Sequence, residues 1–418
     1  MNAIEFIKEF FRRQGLWILG ANTIIKICGF AAVVFVTRNT SEQDFGSYSY
    51  ALNIVLAFVP FMGLGSYQAF LRFSTDASGQ LAKKDLFHYA YARGILLSMV
   101  LVALLYVLAP ILCRSIPESV SIFRVLTLVV LTTLNMEFVK SYARAIHMNG
   151  ISAKIDITYA VSLLVLSILL SSFKGVMGYA AAVAIAPVVA VLYHGWRMNI
   201  AGLKWVRLNT SFRLFWKYGI FTTIGALFAQ MFYAVDVFMI GQIVGEKATS
   251  VALYRVAVII PIATLVVPIS ISATDFVKNS ANKYNPSALK SYVINYWRTF
   301  GWISLGILSI LWLLAPWILG VFGHSYRAGA EVMRIFLIGI LGAHLLRVPF
   351  GNLLSAVGKA NWNTYINTIV LVLTVLFCKW IIPEYGIRGA AFVMTSMMWV
   401  SGVMNGLGFW FYCIGCKS

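Results

Sequence analysis

Charge is scarce in this 418-residue chain, and acid is scarcest: 11% of residues are charged, with 14 Asp and Glu against 33 Lys and Arg. An ordinary soluble domain carries about 25% charged residues, so that class is excluded. Cysteine is sparse too. Cys28, Cys113, Cys378, Cys413 and Cys416 are scattered through apolar runs, and the close pair Cys413 and Cys416 has no histidine beside it. No metal or redox site is expected from that pattern. His147, His194 and His344 fall near the ends of apolar runs and form no ligand cluster. A Walker-type Gly-rich phosphate loop is missing, which excludes ATP as the direct driver of any transport. No cleavable signal peptide is expected. Residues 1–13 interleave Ile4, Phe6, Ile7, Phe10 and Phe11 with charge, as a short interfacial helix would.

What the chain has instead is apolar length. Sixty per cent of residues are hydrophobic and the mean hydropathy is +0.83. A spanning helix needs about 20 apolar residues. Twelve such runs are legible, near 16–37, 46–66, 89–113, 121–138, 155–173, 176–196, 218–241, 251–272, 297–320, 331–353, 364–382 and 388–413. They far exceed the roughly ten-residue alternating strands of a membrane barrel. The expectation is an all-α polytopic membrane protein with short connections. Amphipathic inner loops are expected near 67–88 and 273–296, and a basic one at 197–217.

The net charge of +19 reads as topology rather than nucleic-acid binding. With the N-terminus inside, the even-numbered connections and both tails hold most of the Lys and Arg. The odd-numbered ones hold Arg38, Arg114, Lys174, Lys247, Arg327 and Arg388, offset by Glu42, Asp44, Glu118, Glu246 and Glu384. The positive-inside rule then places both termini in the cytoplasm. The outer loops are too short for a catalytic domain.

Three charges lie deep in apolar runs: Lys26, Asp236 and Arg255. Each costs about 2.5 kcal/mol or more at mid-membrane, so an intramembrane charge marks a candidate functional site. Arg93, Arg124 and Arg334 form a second tier about one turn inside other runs.

The halves also resemble each other. Tyr48 and Ala51 align with Tyr254 and Ala257, Arg124 with Arg334, and Gly150 with Gly358, at offsets of 206 to 210. Six spans per half give a parallel repeat, 1–205 and 206–418. Transporters built in this way bind substrate between the halves and rock one against the other.

Several segments resemble the polysaccharide-export flippases of the multidrug/oligosaccharidyl-lipid/polysaccharide (MOP) exporter superfamily. They are Thr37-Arg38 followed by Glu42-Gln43-Asp44-Phe45-Gly46-Ser47-Tyr48; Gly63-Leu64-Gly65 through Leu71-Arg72-Phe73; Lys217-Tyr218-Gly219; Asp236 through Met239-Ile240-Gly241; Leu253-Tyr254; Phe322-Gly323 through Tyr326; and Asn352-Leu353-Leu354 through Gly358-Lys359. Thr40-Ser41 departs from the family's usual Leu-Gly-Pro. The resemblance implies two six-helix lobes, V-shaped, around a central cationic cavity lined by spans 1, 2, 7 and 8. It also implies a cargo: an oligosaccharide repeat unit on undecaprenyl diphosphate, moved from the cytoplasmic to the periplasmic face of a bacterial inner membrane for O-antigen, capsule or exopolysaccharide assembly. Polymerase or ligase machinery would be a partner. No enzyme activity and no cofactor are implied.

On that reading Lys26 and Arg255 receive the diphosphate, because cations can replace its water. Two readings of Asp236 stand: an ion pair with Arg255 at matching depth, or an H+ or Na+ coupling site. Arg124 and Arg334 guide the product outward or anchor headgroups. Glu137 and Arg347, at equivalent positions, form an inner-gate pair or stand apart. Asn22, Asn53 and Gln230 suit sugar hydroxyls, or knit helices together. The rival functions are a multidrug or organic-cation antiporter of the same superfamily, a polysaccharide polymerase or glycosyltransferase, and a scaffold. The first would be expected to carry interior acids, and the second a large outer loop or an acidic metal motif.

Overall fold

The computed structural model describes residues 15–75, 79–198, 206 and 212–415. The interfacial helix expected over 1–13, Cys416, the side chain of Asn22 and most of the basic stretch 197–217 lie outside the described residues.

The chain is all-α. Its helices are α1 (Gly15–Asn39), α2 (Glu42–Phe58), α3 (Ser66–Phe73), α4 (Gln80–Leu112), α5 (Ser119–Leu126), α6 (Leu128–Ala145), α7 (Asn149–Arg197), α8 (Phe212–Phe232), α9 (Val235–Ile243), α10 (Lys247–Ala263), α11 (Val266–Ala281), α12 (Pro286–Tyr296), α13 (Trp302–Gly320), α14 (Ala330–Gly342), α15 (Val348–Ala356) and α16 (Ala360–Gly415). Breaks fall where the backbone demands them. A 3-10 turn, Val59–Gly65, starts with Pro60 near its N-terminus and separates α2 from α3. Single π-helical turns, Trp297–Gly301 and Ala343–Arg347, join α12 to α13 and α14 to α15.

Among the described residues eight segments are long and apolar enough to cross a membrane, and α8 with α9 makes a ninth, broken span. Two of the eight, α7 and α16, are each double. A glycine turns the chain inside each, Gly175 (φ +53°, ψ −134°) and Gly386 (φ +56°, ψ −137°). A side chain at those angles is strained, so glycine is the residue that permits the reversal. Counting both halves of α7 and α16, and adding α1, gives the twelve spans. The outer loops expected at 174–175 and 383–387 are therefore these tight turns.

The departure at Thr40-Ser41 becomes a helix start. Ser41 Oγ accepts from the Asp44 backbone N–H at 3.1 Å at the N-terminus of α2, in the manner of a Ser N-cap.

The chain divides into two compact units, Ile24–Ala234 in one, and Val235–Ser418 with the residues up to Thr23 in the other. In the first, an aromatic cluster of Phe70, Phe87, Tyr91, Phe138 and Tyr142 packs α3, α4 and α6 together. The second half of α7 is rich in buried alanine (Ala180, Ala182, Ala184, Ala186, Ala190), which lets backbones approach where lipid supplies no hydrophobic drive between helices. In the second unit, Ile271, Leu289, Tyr296, Phe300, Phe350, Leu354 and Phe409 form one core joining α11 to α16.

Candidate functional site

Each unit presents its own part of the expected site. In the first unit, Lys26 lies on α1 and is exposed rather than packed into the unit's core. Asn53, by contrast, is buried on α2, and its Nδ2 donates to the Ala234 carbonyl at 2.6 Å. Ala234 lies where the α8–α9 span breaks, so Asn53 ties α2 to that break, and its buried amide is not open to a sugar. Gln230, one turn earlier on α8, is half-buried.

Glu137 on α6 belongs to a triad. Lys140 Nζ stands 2.8 Å from Glu137 Oε1 and 2.8 Å from Asp156 Oδ1 on α7. Lys140 is 8% exposed. In sequence Lys140 reads as one of the loop charges at the end of an apolar run, with nothing to pair it with Asp156. The equivalent position in the other unit, Arg347, is the last residue of a π turn and is half-buried.

In the second unit Asp236 opens α9, where the helix dipole favours an anion. The carboxylate is 3% exposed. Its Oδ1 accepts from the Val237 N–H at 2.7 Å and its Oδ2 from Tyr254 Oη at 2.8 Å. Tyr254, not Arg255, is thus the hydrogen-bond partner that α10 supplies. Arg255 is half-buried, makes no ion pair with Asp236 within 4 Å, and acts on it only through its charge.

Arg124 and Arg334 lie on the flanks of their units, stacked on aromatic rings. Arg93 does the same on Tyr89, with Cζ 3.8 Å from the ring centroid. Tyr89 in turn accepts from Trp216 Nε1 at 3.0 Å. Beside this chain a groove of about 440 Å³ runs along α8, lined by Arg213, Trp216, Lys217, Ile220 and Phe221. Two cations at i and i+4 beside apolar residues were the signal for it in sequence.

His344 was another residue the sequence left idle. It is 1% exposed and joins three spans: Nε2 lies 3.1 Å from Thr264 Oγ1 and Nδ1 2.9 Å from Ser304 Oγ. Thr264 donates its own hydroxyl to the Pro261 carbonyl at 2.7 Å, so it accepts from the ring. Among the described residues no group of His, Cys, Asp or Glu could hold a metal ion.

The sequence pattern of the polysaccharide biosynthesis protein family matches residues 11–276, well over half of the chain. The chain belongs to that family. The MatE pattern also matches this polysaccharide biosynthesis family member, over residues 222–380. No curated protein matches it in sequence. Its fold is that of solved transporters. One is an inward-facing multidrug resistance MATE family transporter of the MOP superfamily, with a TM-score of 0.78 at 14% identity over 96% of this chain and 99% of that one. Another is a MOP superfamily transporter from Pyrococcus furiosus Vc1, with a TM-score of 0.69 at 16% identity over 97% of this chain and 96% of that one. The family member is accordingly a membrane transporter of the MOP superfamily.

Proposed function

We propose that this transporter is a flippase for undecaprenyl-diphosphate-linked oligosaccharide repeat units, moving them from the cytoplasmic to the periplasmic face of the inner membrane by alternating access. The observation that carries the reading is the polysaccharide biosynthesis family match over residues 11–276. Charge supports it. The cargo's diphosphate is anionic, and the deep cations Lys26 and Arg255 outnumber the one deep acid, Asp236, whose oxygens already accept two hydrogen bonds. Lys26 is accessible on its unit, as a ligand-receiving cation has to be. The polyprenyl tail stays in lipid, so only the diphosphate and the sugars need a polar path. An inside-negative potential favours outward movement of anions by about 2.3 kcal/mol per charge per 100 mV.

The MatE match over residues 222–380 favours a second reading, a multidrug or organic-cation antiporter. One experiment separates the two. Cells lacking the chain accumulate lipid-linked repeat units on the cytoplasmic face and export dyes normally if it is a flippase. Accumulation of a cationic dye with normal surface glycan supports the antiporter and overturns the flippase.

A further inference from the structure

Both halves carry the same arrangement on one flank. On α5, Arg124 lies over the ring of Tyr106 from α4, its Cζ 4.9 Å from the centroid. On α14, Arg334 lies over the ring of Trp312 from α13, at 4.8 Å. The arginines are 210 positions apart and the rings 206. The surroundings repeat as well. Leu104, Val107 and Ile111 on α4 correspond to Ile310, Leu313 and Trp317 on α13, and all six are more than half exposed. Exposed apolar residues along a membrane span are its lipid-facing side.

Among the described residues neither Arg124 nor Arg334 has a carboxylate within 4 Å, and Glu331, close to Arg334 in sequence, is held by Arg388 at 2.7 Å. Arg124 Nε is buried and makes no hydrogen bond. Arg334 Nε donates to the Trp312 carbonyl at 3.2 Å. A guanidinium stacked on a ring keeps its planar N–H edge for a second ligand, and that edge matches phosphate bidentately. The rings differ, Tyr in one half and Trp in the other, yet each offers a π face to its arginine. Arg124 is five residues into α5 and Arg334 four into α14. At about 1.5 Å per residue both sit one to two turns inside the span ends, within reach of headgroup phosphates.

We propose that Arg124 with Tyr106, and Arg334 with Trp312, are two equivalent lipid sites, one per half, each binding the phosphate of an anionic phospholipid of the surrounding leaflet. The occupant is a resident lipid and not the cargo, so the proposal stands or falls apart from the transport reading.

Native mass spectrometry of the full-length protein released from phosphatidylglycerol nanodiscs tests it. The wild type retains two more phosphatidylglycerol molecules than Arg124→Gln/Arg334→Gln, and each single variant loses one. Tyr106→Phe keeps the ring face and retains the lipid, whereas Tyr106→Leu loses it. Wild-type retention by the double variant, at an unchanged unfolding temperature, overturns the proposal. If the double variant does not fold, Tyr106→Leu against Tyr106→Phe decides, and equal retention by those two also overturns it. Displacement of both lipids by added undecaprenyl diphosphate overturns it as well, because the sites would then belong to the cargo.

Discussion

Tyr254 Oη donates to the Asp236 carboxylate at 2.8 Å, with both side chains buried. Removing that hydroxyl leaves a carboxylate oxygen dry and without its partner. The cost of an unsatisfied buried group is about 1–3 kcal/mol. Tyr254→Phe therefore lowers the thermal unfolding midpoint of the detergent-solubilised protein. Arg255→Gln, which breaks no ion pair with Asp236, lowers it less. The reverse order would show that Arg255 holds the carboxylate.

Lys140 neutralises two carboxylates at once, Glu137 and Asp156, each at 2.8 Å. Removing one partner of a buried ion pair costs about 3–5 kcal/mol, and the partial exposure of the two acids puts the cost here at about 3 kcal/mol. Lys140→Met is expected to lower the yield of folded protein sharply, while Lys140→Met/Glu137→Gln/Asp156→Asn recovers most of it. Size-exclusion profiles of the two variants check this. A stable single variant would contradict the triad's role.

In the first unit the backbones of Gly65 and Gly219 approach closely. A Cβ on Gly219 would lie 2.6 Å from the Leu64 carbonyl oxygen, and Gly65 itself holds φ +71°. Overpacking of this kind costs about 1–3 kcal/mol. Gly219→Ala is thus destabilising, and Gly225→Ala, on the same helix with nothing within 4 Å of the added carbon, is neutral. Unfolding midpoints compare them directly.

Much of the fold was legible because bilayer thickness sets a length that apolar runs have to meet. The repeat was more legible than four scattered matches suggested. Leu108-Ala109-Pro110 and Leu314-Ala315-Pro316 share an offset of 206, and the turn glycines Gly175 and Gly386 are 211 apart. The partner of Asp236 was not legible. Depth along a helix places Tyr254 and Arg255 together, but neighbouring residues project about 100° apart, and only the packed structure shows which one faces the acid. Lys140 was obscured in the same way. Its place near a span end reads as loop charge until α7 brings Asp156 alongside. The hydrogen bond of Asn53 reaches a helix break 181 residues away, which no local pattern signals.

On the proposed function, cations on the first and eighth spans take the place of water around the cargo's phosphates. Charge reversal at Lys26, which is exposed on its helix and therefore changeable without disturbing a core, tests it most directly. In cells carrying Lys26→Glu at wild-type membrane levels, the lipid-linked repeat unit should accumulate on the cytoplasmic face and surface glycan should disappear, with Lys26→Arg restoring both. Normal surface glycan from the Lys26→Glu variant would contradict the account.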